Sequence, residues 1–442
     1  MAPQEREGGG PTPRTFHVET LGCPKNAVDS DKVVASLVTD GLLPASDAGS
    51  ADLVVVNTCA FIEAAREESI ETALGLAEAR KPGARLVVTG CMAERYGEEL
   101  AAALPEADAV VGFAGEGAIA DVVLTRKPTG VRDLLELPRS APSAPWAYVK
   151  VAEGCDRACA FCAIPSFRGT QRSRTPESIE TEARGLVEQG AAELVLVAQD
   201  LAWYGRDAGE PGALAPLLRR LDRLADHGLH RVRLMYLYPS EVRDPLVATM
   251  LDLRTVVPYF DLSLQHADRR LLARMKRWGS GERFLAMIES IRAQEADAAF
   301  RSSFIVGFPG ETETQHAALL DFLAAAELDW GGFFPYSAEE GTPAATMDGV
   351  VDPALMSERL RECSEIQDRL TQARRDALAR AGTMLDVLVD GVDDDTGDAI
   401  GRTHREAPEI DGVVRVAGGR AHPGSIVQVR AVTSEGPDLV AA

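Results

Sequence analysis

The sequence has no apolar run close to the about 20 residues that a membrane-spanning helix needs, so we expect no membrane segment. Positive charge is also scarce, because 46 Lys and Arg stand against 68 Asp and Glu, a net charge of −22. That balance disfavours a partner made mostly of phosphate but is compatible with a basic protein. The opening MAPQEREGGGPTP lacks the apolar core of a signal peptide, and we expect residues 1–13 to be a disordered tail.

Cysteine is infrequent, with seven among 442 residues. Without an export signal or a membrane segment, we expect a cytoplasmic protein, and thiols stay reduced in that compartment. Seven cysteines in a reducing compartment indicate metal or redox chemistry more than disulfides.

The first third of the chain alternates short β-branched runs with helical segments, which predicts a doubly wound parallel α/β domain at 14–130. We predict strands at 15–20, 52–57, 85–89 and 107–113, and helices starting near Asn26, Phe61 and Met92. One cysteine follows each of the first three strands: Cys23, Cys59 and Cys91. Carboxyl ends of parallel strands share one edge of a sheet, so we expect these thiols to converge. The alternative is that each is a buried small hydrophobe.

A Pro- and Ser-rich stretch, LPRSAPSAP at 137–145, indicates a linker, which we place at 131–145. Beyond it we predict six strands with crossover helices, an open (β/α)6 partial barrel at 146–375 whose chemistry sits at the carboxyl ends of the strands. The predicted strands are 146–151, 193–198, 231–236, 259–264, 300–306 and 330–336. A helix at 353–380 carries Cys363 on its apolar stripe, and we interpret that cysteine as packing.

In the last segment, 376–442, we predict short strands separated by Gly, Asp and Pro: MLDVLVD, AIGRTH, GVVRVA and SIVQVR. This pattern predicts a small antiparallel β-barrel of OB-like size. With the two domains before it, the predicted fold class of the whole chain is α/β multidomain.

Three cysteines lie close together in EGCDRACAFCAIPSFRG, at Cys155, Cys159 and Cys162. A structural zinc site takes four ligands, and no histidine lies between Cys162 and His227 to supply the fourth. Iron–sulfur clusters take one thiolate per iron, so three thiolates on four irons leave one iron open to a small molecule. The spacing therefore favours an iron–sulfur cluster with an open position.

CDRACAFC resembles the CxxxCxxC signature of the radical S-adenosylmethionine (SAM) enzymes, with Phe161 at the usual aromatic position. The resemblance implies a [4Fe-4S] cluster whose open iron binds SAM and whose electron cleaves it to a 5′-deoxyadenosyl radical. GFPGETE at 307–313 resembles a region that helps hold the nucleoside, although it also fits a Gly/Pro turn opening a helix. Gln199, Asp200 and Gln265 end predicted strands and are candidates to line the SAM pocket, or are simple caps.

TLGCPKN, NTCAFIE and TGCMAERY resemble the three cysteine motifs of the methylthiotransferase family. That resemblance covers about residues 15–440 and implies that Cys23, Cys59 and Cys91 hold a second [4Fe-4S] cluster with an open iron. It also implies conversion of C–H to C–SCH3 using two SAM molecules, with a TRAM domain as the C-terminal barrel.

Four segments resemble the RimO-type branch of this family, which modifies an aspartate of small-subunit ribosomal protein S-twelve: TLGCPKNAVDS, AIPSFRGTQRSR, VRLMYLYPSEV and EAPEIDGVV. The tRNA-modifying branch usually reads GCQMN where this chain has GCPKN. Asp156 and Ser263 depart from the usual Asn and Pro and leave the fine substrate pocket undefined. A flavodoxin- or ferredoxin-type reductant is also implied.

Charge bears on the same choice, because residues 376–442 hold six arginines and no lysine against twelve Asp and Glu. Such a barrel is expected to repel tRNA and attract a basic ribosomal protein, unless its charges are only a solvated face. We therefore expect it to dock the protein substrate. The alternatives that stay open are a tRNA methylthiotransferase and a non-catalytic iron–sulfur redox sensor.

Overall fold

The computed structural model describes residues 14–124, 133–418 and 421–442, and the chain divides into two units, Met1–Ser140 and Ala141–Ala442. The predicted tail at 1–13 and the first two residues of the predicted linker lie outside the described residues. Leu134 and Leu135, also in that predicted linker, are buried in the first unit. The predicted domain boundaries themselves stay predictions.

The first unit is built on a five-stranded parallel sheet in the order β2-β1-β3-β4-β5. This flavodoxin-like strand order confirms the predicted doubly wound class. Its strands are β1 (Thr15–Thr20), β2 (Leu43–Pro44), β3 (Leu53–Thr58), β4 (Arg85–Gly90) and β5 (Ala109–Val111). Its helices are α1 (Pro24–Thr39), α2 (Glu63–Ala79), α3 (Cys91–Ala103) and α4 (Asp121–Leu124). Strand β2 was not predicted, because its two residues are both exposed and carry no apolar pattern.

The second unit contains the six predicted parallel strands in chain order. Two hydrogen-bonded sets, β6-β9-β10 and β11-β12-β13, are joined by a parallel bridge between Leu237 and Leu262. The strands are β6 (Trp146–Lys150), β7 (Ala152–Glu153), β8 (Arg172–Ser173), β9 (Glu193–Val197), β10 (Arg231–Leu234), β11 (Tyr259–Gln265), β12 (Ala299–Val306) and β13 (Trp330–Pro335). The small β7–β8 pair is antiparallel and lies outside this six-fold arrangement.

Helices cover the outside of these strands. They are α5 (Ile164–Arg168), α6 (Pro176–Glu188), α7 (Leu214–Asp222), α8 (Asp244–Asp252), α9 (Arg269–Arg274), α10 (Gly281–Gln294), α11 (Glu313–Ala326) and α12 (Pro353–Ala381). Alternate strand residues such as Val149 and Leu196 join the apolar core beneath the helices. The intervening residues, such as Lys150 and Arg233, are buried but polar, so the side of the strands away from the helices is charged.

Helix α12 matches the predicted 353–380 segment. Asp352 caps its start by accepting a hydrogen bond from the Ala354 N–H at 2.9 Å, and Gly382 ends it in the left-handed region at φ +57. Cys363 is fully buried in the core, in line with its interpretation as packing. In the part of the chain that the structure describes, we find no helix with the length and apolarity needed to traverse a bilayer.

The C-terminal strands form a closed barrel in the order β14-β15-β16-β18-β17. They are β14 (Met384–Val392), β15 (Ala399–Arg402), β16 (Val414–Val416), β17 (Ile426–Glu435) and β18 (Asp438–Ala441). The pairings are antiparallel except for β16 with β18, and five strands confirm the OB-like prediction. Strand β18, four residues long after Gly436 and Pro437, was not predicted.

Residues 402–411, which begin at the last residue of β15, close the amino-terminal end of the six-stranded barrel; we call them the floor segment. Every one of the six strands contributes a side chain that hydrogen-bonds or ion-pairs with it: Tyr148, Glu193, Arg231, Tyr259, Arg301 and Trp330. The Arg402 guanidinium lies 2.8 Å from the Glu193 carboxylate, and both side chains are buried. Buried ion pairs of this kind hold the two barrels of this unit in one relative position.

Candidate functional site

Cys23, Cys59 and Cys91, which we call the sheet trio, stand at the carboxyl ends of three neighbouring strands. Cys23 precedes α1 just after β1, Cys59 follows β3 directly, and Cys91 opens α3 straight after β4. Because β1, β3 and β4 are adjacent in the sheet, the fold places all three cysteines at one sheet edge. Cys59 and Cys91 are buried and Cys23 is half-buried.

Close backbone approach at this edge depends on Gly22. Its φ is +93, and a Cβ added there would lie 2.8 Å from Cys59 Cβ and 3.0 Å from Cys59 Sγ. The loop carrying Cys23 therefore lies directly against the Cys59 side chain, and only glycine permits that contact.

Asn26 links the three cysteine loops, a role that was not predicted from the sequence. Its Nδ2 donates to the Leu21 carbonyl at 2.9 Å and to the Thr58 carbonyl at 3.0 Å, and its Oδ1 lies 3.5 Å from Cys91 Sγ. Asn57 donates in turn to the Asn26 carbonyl at 3.0 Å. Its position in the TLGCPKN motif could have drawn attention to Asn26. The motif itself, however, does not specify contacts with residues 58 and 91.

Cys155, Cys159 and Cys162, the loop trio, lie on a single loop after β6 and β7. The Cys155 N–H donates to the Gly169 carbonyl at 3.1 Å, and the Cys162 N–H donates to the Cys159 carbonyl at 3.3 Å. Two donors point at sulfur: the Arg157 N–H lies 3.4 Å from Cys155 Sγ, and Arg277 Nη1 lies 3.5 Å from Cys159 Sγ. Hydrogen-bond donors of this kind favour the thiolate form that a metal cluster binds.

Burial of these cysteines has the opposite effect, because it favours the neutral thiol over the thiolate. It raises the pKa of Cys155 to about 11 and the pKa of Cys162 to about 12. Without a metal these two groups are therefore neutral thiols at pH 7, and a bound metal would take the place of the proton. None of the seven cysteines is in a disulfide.

The base of the loop trio is a buried ion network around Glu153. Its carboxylate accepts from Lys150 Nζ at 2.6 Å, from Arg168 Nη1 at 2.9 Å and from Gln199 Nε2 at 2.6 Å. Burial alone would raise the pKa of Glu153, but Arg168 and Lys150 outweigh it and hold that pKa below its ordinary value. Gln199 thus reaches the cysteine loop through Glu153.

Two oxygen atoms at the end of β9 are buried without a hydrogen-bond partner among the described residues, Gln199 Oε1 and Asp200 Oδ1. Such acceptors suit a ligand that brings N–H donors, as the amino group of SAM does. Gln265 ends β11 in the left-handed region at φ +73, and Phe161 packs partly buried against the core beside Cys162. Gln265 thus lies at the carboxyl end of its strand, as predicted, whereas Phe161 lies on the cysteine loop.

GFPGETE forms the turn that opens α11, as one of its two interpretations predicted. Thr312 and Gln315 make a capping box there, and the Glu311 carboxylate accepts from the Gly307 N–H. Burial would raise the pKa of Glu311, but His266 Nε2 and His316 Nδ1, which lie 3.7 and 3.6 Å from its Oε1, hold it at about 2. Through the Gly307 N–H, Glu311 fixes the turn.

The donor sets of both trios fit [4Fe-4S] clusters better than single metal ions. Across 14–124, 133–418 and 421–442, no three Cys, His, Asp or Glu side chains converge as one ion would require. A cluster takes one thiolate per iron and so accepts sulfurs that stand further apart. Three thiols in each trio suit a cluster that keeps one iron for another ligand.

Three family descriptions match successive parts of the chain. Uncharacterized protein family UPF0004 matches residues 15–112, the Radical SAM superfamily residues 149–323, and the TRAM domain residues 381–442. The sheet trio, the loop trio and the whole C-terminal barrel fall within these three matches respectively.

Full-length relatives decide the family. Ribosomal protein uS12 methylthiotransferase RimO of Saccharopolyspora erythraea is 44% identical, over 97% of this chain and 94% of the relative. The RimO of Cutibacterium acnes is 42% identical, over 97% of each chain. The chain belongs to the RimO family. This confirms the resemblance to that branch drawn from the four sequence segments.

A solved structure supports the fold independently of the RimO family. The radical SAM methyltransferase TsrM from Kitasatospora setae, with cobalamin and a [4Fe-4S] cluster bound, aligns with a TM-score of 0.55 at 14% identity. The alignment covers 75% of this chain and 74% of TsrM, and at that identity it bears on fold alone.

Proposed function

We propose that this chain is a radical SAM methylthiotransferase that adds a methylthio group to the β carbon of an aspartate in ribosomal protein uS12. The observation that carries the proposal is the pair of cysteine trios, each at strand carboxyl ends, in a chain of the RimO family. A single trio would suffice for SAM cleavage alone, whereas a second trio supplies a separate place for sulfur.

Two [4Fe-4S] clusters and SAM are the proposed cofactors. Cys155, Cys159 and Cys162 would hold one cluster, and Cys23, Cys59 and Cys91 would hold the other. When bound, the first supplies the electron that cleaves SAM and the second carries the sulfur to be transferred.

The residues around the loop trio bind and orient SAM in this proposal. Gln199 Oε1 and Asp200 Oδ1 would accept from its amino group, since both are buried and lack another donor among the described residues. Glu153 holds Gln199 in place through the 2.6 Å hydrogen bond. Phe161 and Gln265 would border the same pocket, Phe161 by its ring and Gln265 by its strained turn.

The C-terminal barrel favours a basic protein over tRNA as substrate. Arg402 and Arg405, two of its six arginines, are buried in ion pairs with Glu193, Asp390, Asp329 and Asp297 and cannot reach phosphate. The acidic run 393–398 is largely exposed between β14 and β15. Neutralising phosphate requires an excess of accessible cations, which this barrel lacks because twelve Asp and Glu stand against six Arg. We therefore propose that tRNA is not the substrate. We further propose a cytoplasmic location and a flavodoxin- or ferredoxin-type reductant.

An anaerobic assay tests this function. Reconstituted protein is given SAM, sulfide and a reductant, with uS12 and tRNA offered in parallel and both analysed by mass spectrometry. We expect a methylthio group on one uS12 aspartate and 5′-deoxyadenosine in solution. A modified adenosine in the tRNA would favour the tRNA branch, and absence of 5′-deoxyadenosine would favour the redox sensor.

A further inference from the structure

Five side chains stack in alternation beside the loop trio: Arg206, Trp203, Arg157, Tyr238 and Arg277. The Arg206 and Arg157 guanidinium carbons lie 4.1 and 4.0 Å from the Trp203 ring centre. Those of Arg157 and Arg277 lie 3.8 and 4.0 Å from the Tyr238 ring centre. We call this the arginine–aromatic stack.

Two carboxylates fix the outer part of the stack. Arg157 Nε donates to Asp200 Oδ2 at 2.7 Å, and Arg206 Nη2 donates to Glu241 Oε2 at 2.5 Å. Arg157 Nη2 also lies 3.3 Å from Glu241 Oε1. Because these guanidiniums are already paired, they are poor receptors for the carboxylate of a substrate aspartate. The two carboxylates instead hold the Arg157 and Arg206 guanidiniums in place against the aromatic rings.

The inner end of the stack is at the cysteine sulfurs. Arg277 Nη1 lies 3.5 Å from Cys159 Sγ, while its Nη2 donates to the Ser263 carbonyl. The Arg157 backbone N–H lies 3.4 Å from Cys155 Sγ. Stacking on Tyr238 leaves Arg277 little freedom to turn away, because an aromatic face attracts a cation and the carbonyl fixes its other nitrogen.

We propose that the arginine–aromatic stack raises the reduction potential of the loop-trio cluster by holding the Arg277 charge against Cys159. This inference rests on the proposed function, since it takes the loop trio as cluster ligands. Reduction adds one negative charge to the cluster, and a fixed cation with hydrogen bonds to the ligand sulfurs stabilises that reduced form. Arg277 and Tyr238 are thus positioning residues.

The test uses full-length protein in which Cys23, Cys59 and Cys91 are changed to Ser, so that only the loop trio can bind a cluster. The midpoint potential is measured by a redox titration followed by electron paramagnetic resonance. We expect Arg277→Gln and Tyr238→Leu each to lower the midpoint potential relative to this parent. Arg277→Lys keeps the charge but not the planar stacking, and its midpoint potential should lie between those of Arg277→Gln and the parent.

Arg283→Gln is the matched control, because Arg283 also stacks on an aromatic ring, Trp278 at 5.5 Å, but lies outside the stack. Its midpoint should equal that of the parent. An intact cluster with unchanged midpoint potentials in both Arg277→Gln and Tyr238→Leu would overturn this inference but not the assignment of the loop trio as cluster ligands. A parent that binds no iron would overturn the assignment of the loop trio and this inference with it.

Discussion

The sheet trio and the loop trio are supported by different chemistry. Around the sheet trio the linking side chains are neutral amides, with Asn26 joining the three loops and Asn57 supporting Asn26. Below the loop trio the linking group is a carboxylate, Glu153, held between Lys150 and Arg168. The first support is built from amide hydrogen bonds, whereas the second is built on ion pairs.

The two trios also differ in how the chain brings their cysteines together. The loop trio lies within one loop, so its spacing is fixed locally, whereas the sheet trio exists only once three strands are in register. We therefore expect the loop trio to tolerate damage to the sheet, and the sheet trio to be sensitive to small changes in backbone packing.

The largest effect should come from removing ligands. Replacing Cys155, Cys159 or Cys162 with Ala should abolish 5′-deoxyadenosine formation. Replacing Cys23, Cys59 and Cys91 together should halve the bound iron but leave SAM cleavage intact, as measured by iron analysis and chromatography. Cys363→Ala is the control for cysteine loss, since that side chain is buried in the apolar core of the second unit. Unchanged iron in the sheet-trio variant would contradict the two-cluster assignment.

Glu153→Gln should destabilise the second unit by about 3–5 kcal/mol at pH 7, because Lys150 and Arg168 would lose their buried counter-charge. Tryptophan fluorescence during urea unfolding measures this, since all four tryptophans lie after residue 141.

The pH dependence of Glu153 follows from its lowered pKa. Its stabilisation is fully present above its ordinary value of 4.5 and is lost as the pH falls towards the lower folded value. The difference between Glu153→Gln and the parent should therefore shrink in acid. A difference that stays constant from pH 7 into that range would contradict the ionic support.

Gly22→Ala should disturb the sheet trio at a cost of about 3 kcal/mol, from positive φ and from overlap with Cys59. Gly41→Ala is the matched control, because Gly41 has a similar φ of +91 but no atom within 4 Å of an added Cβ. Thermal unfolding by circular dichroism and iron content measure the two variants. Equal losses in both would show that backbone strain alone, rather than contact with Cys59, sets the effect.

Asn26→Ala should cost about 1–3 kcal/mol, because it leaves the Leu21 and Thr58 carbonyls without their donor. It should also lower iron binding at the sheet trio without changing SAM cleavage at the loop trio. Loss of SAM cleavage in soluble, folded Asn26→Ala protein would contradict the separate support of the two trios.

Local pattern predicted most of the fold and little of the support around the trios. Strand β3 was predictable because a strand buried on both faces reads as a continuous apolar run. Strands β2 and β18 were missed, since two and four residues beside turns carry too short a pattern. The cysteines were found through spacing, which is a property of the sequence itself.

The supporting residues were missed because their partners are distant in the chain. Asn26 acquires its role only when residue 58 arrives beside it, and Arg277 only when Tyr238 and Cys159 do. A single polar or charged residue in a helix or loop gives no signal of such a partner. Contacts of this kind are set by packing of the finished fold.

The floor segment bears on how this protein can be cut and recombined. A chain ending before residue 402 would leave six strands with exposed polar ends, Glu193 and Arg231 among them, so the central domain should not survive truncation there. An exchange of C-terminal barrels between homologues would need compensating changes at every strand start. The C-terminal barrel and the six-stranded barrel therefore have to be retained or exchanged together.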